Sequence, residues 1–258
     1  MDKYEVFKKQ VNDFIHIDLN YYKEKQMKRR ITSLLKRNNF NDFDDYFQGL
    51  ESDKALLDEF VNYLTINVSE FYRNPSQWEV LEKEILPDII NKKNKNIKIW
   101  SSACSTGEEP YSMVMLLTKF FDLKDIKILA SDIDVGAMDK AKLGIYNSKS
   151  LDNLPKEFKV KYFEPIESSY KIKDDIKKCV EFKKMDLLKD VFPRNLDLII
   201  CRNVMIYFTE DAKELLYKKF YDSLSNNGVL FVGSTEQIIL PDRYKLKSLK
   251  TFFYKKDS

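Results

Sequence analysis

"IKIWSSACSTGEEPYS", residues 97–112, decides how the chain is read. Ile97 to Trp100 is a short apolar run of strand character. Small residues and a single glycine, Gly107, follow, and the segment beyond can continue as a helix. A small-residue loop between a strand and a helix usually takes an anion, because the free N–H groups of a helix start attract negative charge. Here Glu108 and Glu109 stand where that anion would sit. The ligand must therefore suit a strand–loop–helix cradle lined with carboxylates.

Downstream, the same alternation continues. "IKILASDI" (126–133), "LDLIICRN" (196–203) and "GVLFVGS" (228–234) read as strands, with helical segments at 109–121, 134–142 and 210–225. Alternating strand and helix predicts an α/β fold with a parallel, doubly wound sheet. "YKLKSLKTFFYKK" (244–256) alternates enough to add one or two closing strands. Residues 145–182 break the rhythm with short β-like pieces and turns, which predicts a small inserted subdomain. Upstream, residues 1 to about 90 show helical spacing without convincing strands, as in Leu50, Leu56, Leu57, Phe60, Val61 and Leu64. Pro75 and Pro87 punctuate the end of that region, so the expected division is a helical domain at 1–75 and an α/β domain at 76–258.

With 258 residues and 43% hydrophobic content, the chain can bury a core in one large domain or two unequal ones. Lys and Arg total 44 against 41 acids, a balance that argues against a nucleic-acid partner. The basic residues cluster, however. Residues 21–37, "YYKEKQMKRRITSLLKR", hold seven of them and one acid, which is either a solvated helix face or a docking surface. Cys104, Cys179 and Cys201 are widely spaced, no C-x-x-C occurs, and the lone His16 offers no metal cluster. Reduced thiols and the absence of an apolar signal core in "MDKYEVFKKQ" fit a cytoplasmic protein. No run of about 18 apolar residues suggests membrane insertion.

In open α/β sheets, ligands bind beyond the carboxyl ends of the strands. Asp132 follows the second apolar run, where an acid can bind ribose hydroxyls; alternatively it caps the next helix. A dinucleotide would need glycines close to its pyrophosphate, and the G-x-G-x-x-G pattern is missing. S-adenosylmethionine resolves the conflict. It carries a ribose, no phosphate, a sulfonium and an α-ammonium, so Glu108 can hold its cationic aminoacyl end. Glu108 and Glu109 equally suit compensation of a helix dipole, with Pro110 at an early helical position.

"WSSACSTGEEPYS", "ASDID", "CRNVMIYF" and "NVSEFYRNP" together resemble the chemotaxis receptor methyltransferases, the CheR family, over nearly the whole chain. The resemblance implies a small helical N-terminal domain, a class I methyltransferase domain with a Rossmann-like doubly wound sheet, and a small inserted β-subdomain. It implies S-adenosylmethionine-dependent methylation of receptor glutamates to methyl esters. Carried over residue by residue, it implies cofactor contacts at Asn67, Ser69 and Arg73, where Ser69 stands for the usual Thr and Tyr72 for a frequent Phe. Glu108 and Asp132 match the motif acids, and Asp186 and Leu187 fall where the family commonly has Asn-Leu near the adenine. Cys201, Arg202 and Asn203, followed by Tyr207, resemble the wall beside the transferable methyl. Arg73 and Tyr207 are the expected catalytic pair, steering and orienting the substrate carboxylate.

Each of these residues also has a plainer reading. Cys201 can be a small buried hydrophobe, Asn203 a cap, Tyr207 and Phe208 core aromatics, and Arg73 a surface residue before a proline turn. Pro75 is expected to push Asn74 toward an extended conformation and so turn Arg73 to the pocket. Receptor methylation regions are acidic helices, which makes Arg29, Arg30, Lys36 and Arg37 the candidate docking residues. In the subdomain, "YFEPIESSYKI" (162–172) has no glycine, and the family's pentapeptide-binding members carry a glycine-bearing loop there, so no pentapeptide tether is expected. A methyltransferase with another substrate and a non-catalytic cofactor-binding regulator stand as the alternatives.

Overall fold

The computed structural model describes residues 2–93 and 96–257. Two compact units are present: residues 1–67 with 206–215, and residues 68–205 with 216–258.

The first unit is built on α1 (Lys3–Ile15), α2 (Glu24–Arg37), α3 (Phe43–Ser52) and α4 (Lys54–Thr65). Asp2, Asp42 and Asp53 each precede a helix and accept backbone N–H groups of its first turn, as N-caps do. The helices bury one face each, with Phe7, Tyr46 and Phe60 stacked or edge-on at the centre. Residues 206–215 join this unit through a backbone bond from Lys23 N–H to the Tyr207 carbonyl (2.9 Å) and one from Thr209 N–H to the Tyr21 carbonyl (2.8 Å).

The division falls at 67/68 rather than at 75. Phe71 and Tyr72 are buried in the core of the second unit, and Pro75 opens a helix there instead of closing the first unit. That helix, α5 (Pro75–Val80), runs through a π turn (Leu81–Ile85) into α6 (Leu86–Lys93).

The second unit holds a seven-stranded sheet. Its strands are β1 (Ile99–Ser101), β2 (Ile128–Asp132), β6 (Val180–Lys184), β7 (Leu196–Cys201), β8 (Leu224–Val232), β9 (Leu246–Lys250) and β10 (Phe253–Lys256). The order is β6-β2-β1-β7-β8-β10-β9. The first five are parallel; β10 runs antiparallel to β8, and β9 is antiparallel to β10 and so returns to the direction of the first five. The direction of winding reverses between β1 and β7, so the crevice for a ligand opens at their carboxyl ends. α7 (Glu108–Leu117), α8 (Val135–Leu143) and α11 (Glu210–Ser223) are the helices expected from the apolar spacing; α11 is divided between the units.

The insertion is a three-stranded antiparallel sheet of β3 (Ile145–Asn147), β4 (Phe163–Ile166) and β5 (Ser169–Ile172), with α9 (Lys156–Tyr162) inside it. It is shorter than expected. After α10 (Asp174–Lys177), residues 180–184 return to the main sheet as its edge strand β6. The polar run "VEFKK" hid that strand, because an edge position tolerates lysines that a central strand would not.

Candidate active site

β1 ends at Ser101, and the loop to α7 is held over the sheet by its own polar groups. Ser102 donates from both backbone and hydroxyl to the Ile200 carbonyl on β7, and Cys104 N–H reaches the Ser131 carbonyl on β2. Gly107 has φ +94°, and a Cβ there would stand 2.7 Å from the Ala141 Cβ and 3.0 Å from the Tyr111 ring. Only glycine fits both the backbone and the space.

Asp132 does not cap α8; Asp134 does, accepting from Ala137 N–H at 3.0 Å. Asp132 instead accepts from Ser105 N–H (2.7 Å) and Asp134 N–H (3.0 Å), which aims its carboxylate at the loop from the end of β2. Burial pushes its pKa up to about 6, against those two bonds. Glu108, 4% exposed, accepts from the Thr106 hydroxyl (2.6 Å) and is hydrogen-bonded to Ser69; burial raises its pKa as well. Two of the expected cofactor residues, Ser69 and Glu108, thus meet.

Glu109, the neighbouring acid, turns the other way. It accepts from the Ser101 hydroxyl at 2.8 Å and lies 3.7 Å from Arg202, with its pKa raised to about 7 by burial. A dipole reading of the pair misses this partner.

Arg202 is buried and reaches back across the sequence. Its Nη2 donates to the Arg73 carbonyl (2.7 Å), the Asn74 side-chain oxygen (3.3 Å) and the Gln77 side-chain oxygen (3.0 Å). Its guanidinium lies over the Phe231 ring, 4.8 Å from the centroid. All these bonds run to the 73–77 segment, so the geometry gives Arg202 the work of fastening that segment. Asn74 is not extended before Pro75: it adopts φ +60°, ψ 71°, a left-handed conformation that asparagine tolerates. The Arg73 guanidinium folds back on its own loop and donates to the Val68 carbonyl at 3.0 Å. The loop is further pinned where Tyr72 N–H meets the Ser112 hydroxyl and Phe71 N–H meets the Ser150 carbonyl.

Cys201 is fully buried at the end of β7 with its pKa raised by burial, a small core side chain rather than a reactive thiol. Asn203 follows in a left-handed turn (φ +61°), and its N–H donates to Glu236 at 2.6 Å. At the end of β6, Met185 N–H donates to the Asp132 carbonyl, so Asp186 and Leu187 come next to the end of β2. Asp186 accepts from Leu188 N–H at 2.8 Å and burial raises its pKa. Asn67 and Tyr207 belong to the first unit: Asn67 donates to the Thr65 hydroxyl (3.0 Å), and Tyr207 lies in the short turn Met205–Tyr207. Gln77, Ser112 and Glu236 carry no sequence signal of their own; Gln77 and Glu236 each stand among other polar residues, and Ser112 is a small residue in an early helical turn.

On α2, Arg29 and Lys36 are exposed. Arg30 donates to the Tyr63 carbonyl and stacks on the Tyr63 ring, and Arg37 pairs with Glu59 at 2.7 Å. Those two arginines tie α2 to α4.

Comparison with known proteins decides the family. "CheR methyltransferase, all-alpha domain" matches residues 2–65, and "CheR methyltransferase, SAM binding domain" matches residues 67–253. The chain belongs to the CheR methyltransferase family. A chemotaxis protein methyltransferase of Listeria innocua is 40% identical over 97% of this chain and 96% of its own. That of Borreliella burgdorferi is 35% identical over 89% and 88%, and that of Escherichia coli 31% identical over 92% and 85%. The fold is the class I methyltransferase sheet with an all-helical N-terminal domain, and the cofactor is S-adenosylmethionine. The donor set fits that molecule: buried carboxylates at the ends of β1 and β2 suit a cationic aminoacyl group and a ribose, and no paired glycines approach a phosphate. Among the described residues no group of His, Cys, Asp and Glu could hold a metal, and no helix is long and apolar enough to cross a membrane.

Proposed function

We propose that the chain transfers a methyl group to glutamate side-chain carboxylates of chemotaxis receptors, forming methyl esters. One observation carries the reading. A loop bearing Arg73 is tied to the cofactor acids through Ser69 and Glu108, while the chain's lone histidine, His16, caps α1. A glutamate nucleophile is already ionised at neutral pH, so it needs a cation to orient it and no general base. S-adenosylmethionine, when bound, supplies a methyl group on a sulfonium.

The chain's own residues supply alignment. Glu108 faces the aminoacyl end, Asp132 the ribose, and Asp186 with Leu187 the adenine. Asn203 and Cys201 form the wall beside the methyl, and Arg202 holds the Arg73 loop in place. Arg73 presents a planar fork of donors to the substrate carboxylate, which favours the near-attack geometry. Asn67 and Tyr207 enter the reading through the family resemblance alone. The exposed Arg29 and Lys36 dock the acidic receptor helices. The β4–β5 hairpin turns through Glu167 (φ +48°) and Ser168 without glycine, and no affinity for a receptor C-terminal pentapeptide is expected.

The test is transfer of labelled methyl from S-adenosylmethionine to receptor-bearing membranes. Base-labile label on the receptor is expected, as a methyl ester gives. Base-stable label, or none, would overturn the proposal.

A further inference from the structure

The loop after β8 contains a buried acid that the motifs do not mark. Glu236 is 6% exposed, and one of its oxygens, Oε2, accepts from two backbone N–H groups: Asn203 at 2.6 Å and Gly233 at 2.9 Å. Its own N–H donates to the Gly233 carbonyl at 3.0 Å, closing a tight turn. The ends of β7 and β8 are therefore stitched together by one carboxylate oxygen. A Cβ on residue 233 would collide with Glu236 Oε2 and stand 2.9 Å from the Asn203 nitrogen, so Gly233 provides the space the carboxylate occupies. Asn203 takes φ +61°, a left-handed conformation that asparagine tolerates, and the bond to Glu236 pins its backbone N–H there.

We propose that Glu236 is a positioning residue for methyl transfer: its carboxylate fixes the backbone turn at Asn203 and so sets the Asn203 side chain against the cofactor. This rests on the reading above that Asn203 lines the cofactor. A support acting only on stability would weaken the fold without caring whether the Asn203 side chain is present.

S-adenosylmethionine affinity of the full chain, measured by calorimetric titration, separates the two. Glu236→Ala is expected to weaken binding at least tenfold. Glu236→Gln, whose amide oxygen can meet the same two N–H groups, is expected to stay within threefold. Asn203→Ala is expected to weaken binding as well. In the Asn203→Ala background Glu236→Ala should cost less than threefold, because the positioned group is gone. Equal losses from Glu236→Ala in both backgrounds, or wild-type affinity in Glu236→Ala, overturn the positioning role while leaving Asn203 on the cofactor wall. Wild-type affinity in Asn203→Ala overturns the wall assignment itself. If Glu236→Ala does not fold, Glu236→Asp, shorter by one methylene, takes its place with the same expectations.

Discussion

Helices α2 and α7 differ in what they hide. α2 buries Met27, Ile31, Leu34 and Leu35 along one stripe and leaves its basic side chains at the surface or on neighbouring rings. α7 buries all ten of its residues, Glu108 and Glu109 included. A stripe at intervals of four, three and one is the signature of a helix lying on a core, and its polar face can change at little cost. A helix buried all round offers no polar face. Any charge it carries must be matched inside the protein or neutralised, and α7 answers with Thr106, Ser69, Ser101 and Arg202. Substitutions on the two helices should therefore fall into different orders of magnitude.

The largest effect is expected at Glu109. Above about pH 7, where the Glu109 carboxyl is ionised, Glu109→Ala leaves the buried Arg202 without its counter-ion and should cost about 3 kcal/mol or more in denaturant unfolding. A loss under about 1 kcal/mol would mean that the pair is not coupled. The same carboxyl gives a pH signature. Burial raises its folded pKa from 4.5 to about 7, so across that window the folded state keeps a proton that the unfolded state has released. Its contribution to stability is fullest below about pH 4.5 and declines as pH rises to about 7. Glu109→Gln should abolish that decline, on the order of 3 kcal/mol over the window; parallel pH profiles for the two proteins would refute it.

Next come Glu108 and Asp132, the acids proposed to face the cofactor. Glu108→Ala and Asp132→Ala should each weaken S-adenosylmethionine binding tenfold or more by calorimetry, whereas Arg29→Ala on α2 should leave it unchanged. Normal affinity in both acid variants would remove the cofactor assignment. Arg73→Lys keeps the charge and loses the planar fork. It should fold normally and lose about tenfold in single-turnover methylation, roughly 1.4 kcal/mol of transition-state stabilisation. A mere surface ion pair, worth about 0–1 kcal/mol, would be indifferent to lysine.

The smallest stability effect belongs to α2. Reversing Arg29 and Lys36 to Glu should shift stability by about 0.5 kcal/mol or less while slowing receptor methylation at low salt. The wild-type rate should also fall as ionic strength rises, since exposed charges are screened over about 8 Å at physiological salt. Normal receptor kinetics in the double variant would break the contrast between the helices.

The same contrast explains what the sequence made legible. Apolar runs at β1, β2, β7 and β8 and the stripe on α2 have periods that can be counted. The "STGEEP" loop could be read because its carboxylates contradict a phosphate site. Strand β6 escaped notice, because its exposed lysines follow the solvent at the sheet edge and not the core. Partners brought together from distant segments escaped too. Nothing near Arg202 announces that it fastens residues 73–77, and nothing near Arg30 or Arg37 announces Tyr63 and Glu59. Asn74 departs from expectation for a local reason: the usual bias of a residue before proline gives way to asparagine's tolerance of the left-handed region.

Arg202 also sets a timetable. It is made 125 residues after Gln77, the nearest of the three groups in the 73–77 segment to which its Nη2 donates. At the roughly 5–20 residues per second of synthesis, the 73–77 segment waits about 6–25 s for its fastener. β1 and β2 can pair in that interval, since both precede β7 in the chain, but the edge of β1 that receives β7 stays open. The Arg73 loop can be pinned early by Ser112 and Ser150, but the 73–77 segment gains its Arg202 bonds only once the residue after β7 has left the ribosome.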